Sequence, residues 1–282
     1  MGKIKTTIVH EIDNIDAKEW DACASPESEN GCKSFDPFTT HRFLSALEES
    51  KSVGGRSGWI PHHLVVKKKD KIVGVMPLYL KNNSQGEYIF DHNWAHAYMQ
   101  AGGNYYPKFQ VAVPFTPVTG RRLLTKPGLE DEVGTVLLET VKKIATDNMI
   151  SSIHLTFCTS EESQLAPECK FVGRQSLQYH WLNNDYSDFD DFLFELSSRK
   201  RKQIKKERKA IHEYDGNIIQ LTGKNITAEI WDYFWDFYQD TGARKWGSPY
   251  LTRSFFDIIH RTMRDDLLLV VAKRKEKYIA AA

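Results

Sequence analysis

Cysteine is scarce: four residues in 282, Cys23, Cys32, Cys158 and Cys169, and none of their spacings is CxxC. That excludes a disulfide-built scaffold and offers no zinc-ligand pattern, so no metal is expected. Cys23 and Cys32 flank a polar SPESENG loop and are the one pair placed to bridge, but the expectation is free thiols in a reducing, cytoplasmic setting. No apolar run is long enough to span a bilayer, and the N-terminus MGKIKTTIVHEID has no signal-peptide core. Charge of one sign is missing too. The formal net charge is +1, so no global field favours DNA or an anionic membrane, and electrostatic recognition must be local. Finally, there is no GxSxG elbow and no cysteine in a nucleophile's setting, which argues against a covalent acyl-enzyme.

What is present is the balance of a globular chain, 41% apolar and 27% charged, with 12% aromatic residues gathered at Tyr88–Tyr106 and Trp231–Tyr250. The densest stretch runs from Gly86 to Arg122, GEYIFDHNWAHAYMQAGGNYYPKFQVAVPFTPVTGRR. Rings, ionisable groups, glycines and prolines crowd together there without helical periodicity, the composition of a site or of a long loop between strands.

Periodicity predicts strand Lys5–Glu11, a helix from Asp16, and a helix over Pro37–Glu49 capped by Thr39 or Thr40. A hairpin follows, His63–Lys68 with Lys71–Lys81, then a strand near Gln110–Pro114. Helix Leu129–Asn148, strand Ser152–Phe157, a short helix from Thr159 and strand Gln175–Leu182 close the first half. Beyond the polar NNDYSD, one helix over Asp188–Tyr214 precedes strand Asn217–Leu221, helices Thr227–Thr241 and Thr252–Arg264, and strand Leu267–Lys273. The final DLLLVVAKRKEKYIAAA turns and restarts as a strand that stops after a few residues, the pattern of a chain cut from a longer one.

The words FTTHRFLSALEESKSVGGRSGWIPHHL, GEYIFDHNWAHAY, YYPKFQVAVPFTPVTGRRLL, SRKRKQIKKERKAI and TGARKWGSPYLTRSFF resemble, in that order, the FemAB-like branch of the GNAT acyltransferase superfamily. The resemblance covers nearly all of the chain from Trp20 onward. It implies an α/β (α+β) fold of tandem GNAT-like domains, mixed central sheets flanked by helices: residues 1–184, and residues 185–282 as a second, incomplete domain opening with a basic helix. It also implies an N-acyltransferase moving an acyl or aminoacyl group to an amine, on a small-molecule or peptidoglycan-precursor acceptor. The donor is acyl-CoA or aminoacyl-tRNA. The alternative is a non-catalytic, degenerate GNAT module that binds RNA or a nucleotide-linked ligand.

Acyl transfer to an amine needs a polarised carbonyl, a route for the amine proton and an oriented donor, and no covalent nucleophile. The resemblance places the first on the splayed fourth strand, Gln110–Thr116, with Val113, Phe115 and Thr116 beside the donor. For the proton it points to Asp91 or His92, then Glu87, with Tyr105 able to donate to a leaving group. Trp94, Tyr106 and Lys108 are candidate acceptor contacts. In place of the superfamily's QxxGxG turn, the chain has Gly120 beside Arg121 and Arg122, which fits either an anion site or a surface turn. The run RKRKQIKKERK, including Lys202 and Lys206, is either a solvated face or a phosphate contact. Lys245 and Trp246 sit in a glycine-bounded loop that suits an anion or a sugar, or a plain helix connection.

Overall fold

Burial alternates along Ile4–Val9, which forms β1, an edge strand in the computed structural model, where residues 4–26, 35–89, 91–213, 216–245 and 247–282 are described. Helix α1 (Ala17–Ala24) begins where the Asp16 side chain accepts the Glu19 N–H. After a 3-10 turn at Pro37–Thr39, α2 (His41–Glu49) is capped by the Thr40 hydroxyl, which accepts from Phe43. Strands β2 (Trp59–Pro61), β3 (His63–Lys68), β4 (Lys71–Met76) and β5 (Leu78–Lys81) follow. The strand expected over Lys71–Lys81 is thus two. Pro77 lies between them, and without an N–H to donate it ends the ladder.

The Gly86–Arg122 stretch holds a helix the sequence pattern does not announce, α3 (His92–Gln100). Ala95 is its one buried residue, so it has no apolar stripe to read. Then come β6 (Lys108–Val111), β7 (Leu124–Thr125), α4 (Glu130–Asp147), β8 (Ile153–Leu155) and α5 (Ser160–Leu165). Two sheets result: an antiparallel one in the order β1-β3-β4-β7, and one in the order β2-β5-β6-β8 in which β6 and β8 run parallel.

Two further expectations change. Gln175–Leu182 forms no strand. Its side chains alternate, but Leu177, Tyr179 and Trp181 stand exposed and no described strand pairs with it. The expected single helix Asp188–Tyr214 is broken into α6 (Phe189–Glu195) and α7 (Ser198–His212), because Leu196 and Ser197 turn to extended geometry. Strand β9 (Asn217–Thr222), helices α8 (Ala228–Arg244) and α9 (Arg253–Thr262), and strands β10 (Leu268–Arg274) and β11 (Lys277–Ala281) complete the chain, with a sheet in the order β11-β10-β9. Three sheets and nine helices among the described residues make a mixed α/β fold.

The strand pleat sends alternate side chains to two cores. Leu64, Val66, Met76, Leu78, Phe109 and Val111 face α4, where they meet Val133, Leu137, Leu138 and Val141. Val65, Val75 and Tyr79 join Trp20, Leu44, Leu47 and Trp59, and this second core continues past residue 184 into Trp231, Phe255, Phe256, Leu269 and Val271. Polar links follow the same path. The Thr252 N–H donates to the Ser52 hydroxyl and its own hydroxyl donates to the Ser50 carbonyl, while Arg42 pairs with Asp266 at 2.7 Å.

Gly74 on β4 is where α4 comes closest: a Cβ there would lie 2.3 Å from Val133 Cγ1. Gly74→Ala is therefore expected to cost about 1–3 kcal/mol by overpacking. Chemical denaturation should show the loss, and Val133→Ala in the same chain should recover part of it.

Candidate functional site

Strands β5 and β6 pair so that Lys81 lies directly opposite Lys108. Both side chains are fully buried, an arrangement that like charges would not tolerate alone. The loop from Ser84 to Asp91 supplies the balance. Lys108 Nζ donates to Glu87 Oε2 at 2.8 Å, to Asp91 Oδ2 at 2.6 Å and to the Ser84 hydroxyl at 3.1 Å. Lys81 Nζ lies 3.9 Å from Glu87 Oε1, donates to the Gln85 carbonyl at 3.0 Å and sits 4.0 Å over the Trp59 ring. Two ammonium groups thus face two carboxylates.

On the outer side of this network the Tyr105 hydroxyl donates to Asp91 Oδ2 at 2.8 Å, and the Tyr106 hydroxyl shares a 2.7 Å hydrogen bond with Ser84. His154 stands beside Gln110 in the parallel β6–β8 ladder, with Nδ1 3.9 Å from Asp91 Oδ2. Its side chain is 25% exposed, so together with the half-buried tyrosines it forms the approach from solvent. Glu87 Oε1 and Asp91 Oδ1 are sealed from water with no hydrogen-bond partner. With His154 they have metal-ligand spacing, all within 4.8 Å, but the cation already between the carboxylates is Lys108.

The electrostatics follow from burial and pairing. Desolvation pushes Asp91 up, yet the donations from Lys108, Ser84 and Tyr105 outweigh it and hold its carboxyl at about 2. Burial pulls Lys81 down to about 7, partly opposed by Glu87. Burial and then the Lys108 cation lower His154 to about 4, so its imidazole is neutral at pH 7. Burial and the Asp91 carboxylate raise Tyr105.

The structure therefore gathers Glu87, Asp91, Tyr105, Tyr106 and Lys108 in one place. It changes the roles expected of some. Asp91 and Glu87, expected as proton acceptors, instead receive the Lys108 ammonium, and Asp91 at about 2 is a weak base near neutrality. Lys108 lies inside the network rather than on a contact surface. His92 and Trp94 are exposed on α3. Lys81, Ser84 and His154 were not singled out from sequence. The signal for Lys81 and His154 was an ionisable residue at the end of LYLK and in the middle of IHL, where a ladder position asks for an apolar one; Ser84 had none.

Beyond Val111 the parallel strands separate. The Thr156 N–H still reaches the Val111 carbonyl at 3.2 Å, but Phe115 then donates to Gly86, and Gly120 donates to the Phe157 carbonyl. Val113 is buried, Thr116 bonds back to the Pro114 carbonyl, and Phe115, at φ 59°, stacks on Tyr250 at 5.0 Å.

The loop that follows is a poor cradle for coenzyme A. Arg121 donates to the carbonyls of Cys23 and Ala24, and the buried Arg122 guanidinium donates to those of Thr156, Arg121 and Val118. A Cβ on Gly120 would meet the Asp36 carboxylate at 2.6 Å, so the close approach this glycine permits is to an acid. The first turn of α4 carries Glu130, Asp131 and Glu132. These residues do not fit a diphosphate, which wants free amides and a positive helix end.

Elsewhere, Lys202 and Lys206 are exposed on α7, Lys245 is exposed at the end of α8, and Trp246 lies outside the described residues. Cys23, Cys158 and Cys169 are free thiols, and Cys32 lies outside the described residues. Among the described residues no helix is long and apolar enough to cross a membrane.

The FemAB-like family, described as peptidoglycan biosynthesis/recognition, matches residues 11–282. The chain belongs to the FemAB-like family. Among solved structures, this FemAB-like chain is similar to that of FemX, at 15% identity and a TM-score of 0.45 over 92% of its length. It spans 57% of the FemX chain. It is also similar to a ribosomal-protein-alanine N-acetyltransferase from Brucella melitensis biovar Abortus 2308, at 11% identity and a TM-score of 0.36, covering 64% of this chain and 98% of that one. Glucosamine-6-phosphate N-acetyltransferase from Arabidopsis thaliana gives 11% identity and a TM-score of 0.36, covering 64% and 99%. No curated protein matches the chain.

Lys108→Met would strand two buried carboxylates, so it should lower stability by about 3–5 kcal/mol in denaturant unfolding. The Asp91 sign follows from its direction. A carboxyl at about 2 when folded and 3.8 when free stabilises the fold above pH 4 and loses that contribution as the pH falls to 2. The acid-dependent loss is on the order of 2 kcal/mol. Urea midpoints measured from pH 5 to pH 2 should fall in the wild type and flatten over that window in Asp91→Asn.

Proposed function

We propose that this chain takes part in transfer of an acyl or aminoacyl group to an amine by direct attack, with a peptidoglycan precursor as acceptor. The observation that supports this most is the parallel β6–β8 pair, whose ladder ends at the bond from the Thr156 N–H to the Val111 carbonyl and whose other end carries the Lys108 network with Tyr105 and His154 beside it. In this reading the carbonyl lies against the main chain of Ala112 and Val113. Tyr105 and the neutral His154 accept hydrogen bonds from the attacking amine and orient it; as its nitrogen bonds to the carbonyl carbon and the ester C–O bond breaks, the amine proton passes by way of His154 to the departing ribose oxygen of the tRNA. Glu87, Asp91 and Lys108 are positioning residues that hold Tyr105 and the start of β6. The residues around Gly120 favour aminoacyl-tRNA over acyl-CoA as donor.

Helix α7 supplies the phosphate contact. At about 100° per residue, seven of the eight cations between Arg199 and Lys209 fall on one half of the cylinder, Lys200 being the exception. Arg208 lies over the Phe189 ring and Lys205 pairs with Asp190, which turns one edge of that arc to α6. Arg199, Lys202, Lys206 and Lys209 line up along the other edge. A helix with like charges at i+3 and i+4 gains from a polyanion beside it.

A binding module that performs no transfer is the second reading, favoured by the weak basicity of Asp91. Labelled donor separates the two. Incubation with aminoacyl-tRNA and a UDP-linked muropeptide should move label to the muropeptide amine, and Tyr105→Phe or His154→Gln should lower kcat by about 10²–10⁴. No transfer from either aminoacyl-tRNA or acetyl-CoA would favour the binding module. Replacing Arg199, Lys202, Lys206 and Lys209 by Gln should reduce the slope of log K against log salt for tRNA by about 3.

A further inference from the structure

The loop between β6 and α4 contains a formed anion nest, and the protein fills it itself. The Arg122 and Leu123 N–H groups both donate to Glu162 Oε1 at 2.6 Å, and the Thr159 N–H donates to Oε2 of the same carboxylate at 3.0 Å. Glu162 comes from the first turn of α5, where it also completes a capping box with Thr159. Its residue is 7% exposed, so the carboxylate is fixed rather than draped over the surface.

Successive amides aimed at one point are what a phosphate oxygen would take. Here that point holds a tethered carboxylate. The surrounding cavity, about 880 Å³, repeats the message: among the described residues Asp36, Glu130, Asp131, Glu161 and Glu162 line it against one cation, Arg121. A diphosphate entering would have to displace Glu162, break the α5 cap and accept several like charges at short range.

We propose that Glu162 is a built-in occupant of the anion nest and a specificity determinant, closing this loop to coenzyme A and other diphosphates. The consequence for the donor rests on the acyl-transfer reading above; the filled nest itself does not. An acyl donor must then be held by contacts elsewhere in the chain.

The test is titration of the whole chain with coenzyme A and, separately, with inorganic pyrophosphate, following the Arg122 and Leu123 amide resonances. The expected result is no saturable binding to the wild type at millimolar ligand and no movement of those two amides. Glu162→Ala, if its melting stays cooperative, should bind pyrophosphate at least tenfold more tightly and shift both amides. Should that variant fail to fold, Glu162→Gln keeps an acceptor in the nest and the α5 cap while removing the charge, and should show a smaller gain in the same direction. Coenzyme A or pyrophosphate binding to the wild type with movement of both amides overturns the proposal. So does a folded variant that binds no better. Absence of acyl transfer with this binding pattern intact would count against the transfer reading alone.

Discussion

Lys108 ties β5 and the loop that follows it to β6, across separations of 17 to 24 residues. Its ammonium group meets Glu87 and Asp91 from the loop after β5, while its backbone opens β6 opposite Lys81. Buried charges of this kind add little net stability when complete and cost a great deal when one member is lost. Their effect is geometric. In the loop after β5, the ion pairs to Lys108 fix where Glu87 and Asp91 lie. Tyr105, hydrogen-bonded to Asp91, then has one orientation, and α3 begins immediately after Asp91.

Polar side chains organise the opposite end of the parallel strand pair in the same manner. Gln110 donates to the Thr156 hydroxyl at 2.9 Å, Arg122 gathers three carbonyls, and Glu162 gathers three amides. Each is buried, and each replaces a stretch of regular ladder with side-chain hydrogen bonds. The parallel strands can therefore separate without leaving many unmet main-chain groups, which is the usual obstacle to opening a sheet.

The sequence announced the elements with strong periods well. The apolar face of α4 and the apolar run of β3 before the charged KKKDK turn each have one dominant signal, and both appear within a residue or two of expectation. Where it misled, a local signal lacked a partner or a partner was remote. Gln175–Leu182 has the alternation of a strand, but a strand needs another to pair with. The break between α6 and α7 falls at Leu196 and Ser197, neither of which forbids a helix. At the site, the dense GEYIFDHNWAHAY stretch pointed to Glu87 and Asp91. It gave no hint that Lys81 and Lys108 would meet them, because that depends on the β5–β6 register. Glu162 was invisible for a similar reason: its role depends on amides 40 residues earlier in the chain.

The core shared by Leu44, Leu47, Val75 and Tyr79 with Phe255, Phe256 and Val271 also sets a schedule for synthesis. The Ser50 carbonyl waits for the hydroxyl of a residue 202 positions later. At roughly 5–20 residues per second, that is a delay of about 10–40 s in which an apolar surface has emerged without its cover. Such long-range closure is slow and leaves nascent chains open to association. For this chain the hazard of misassembly is greatest before α9 leaves the ribosome, and a holding chaperone has its use in that interval.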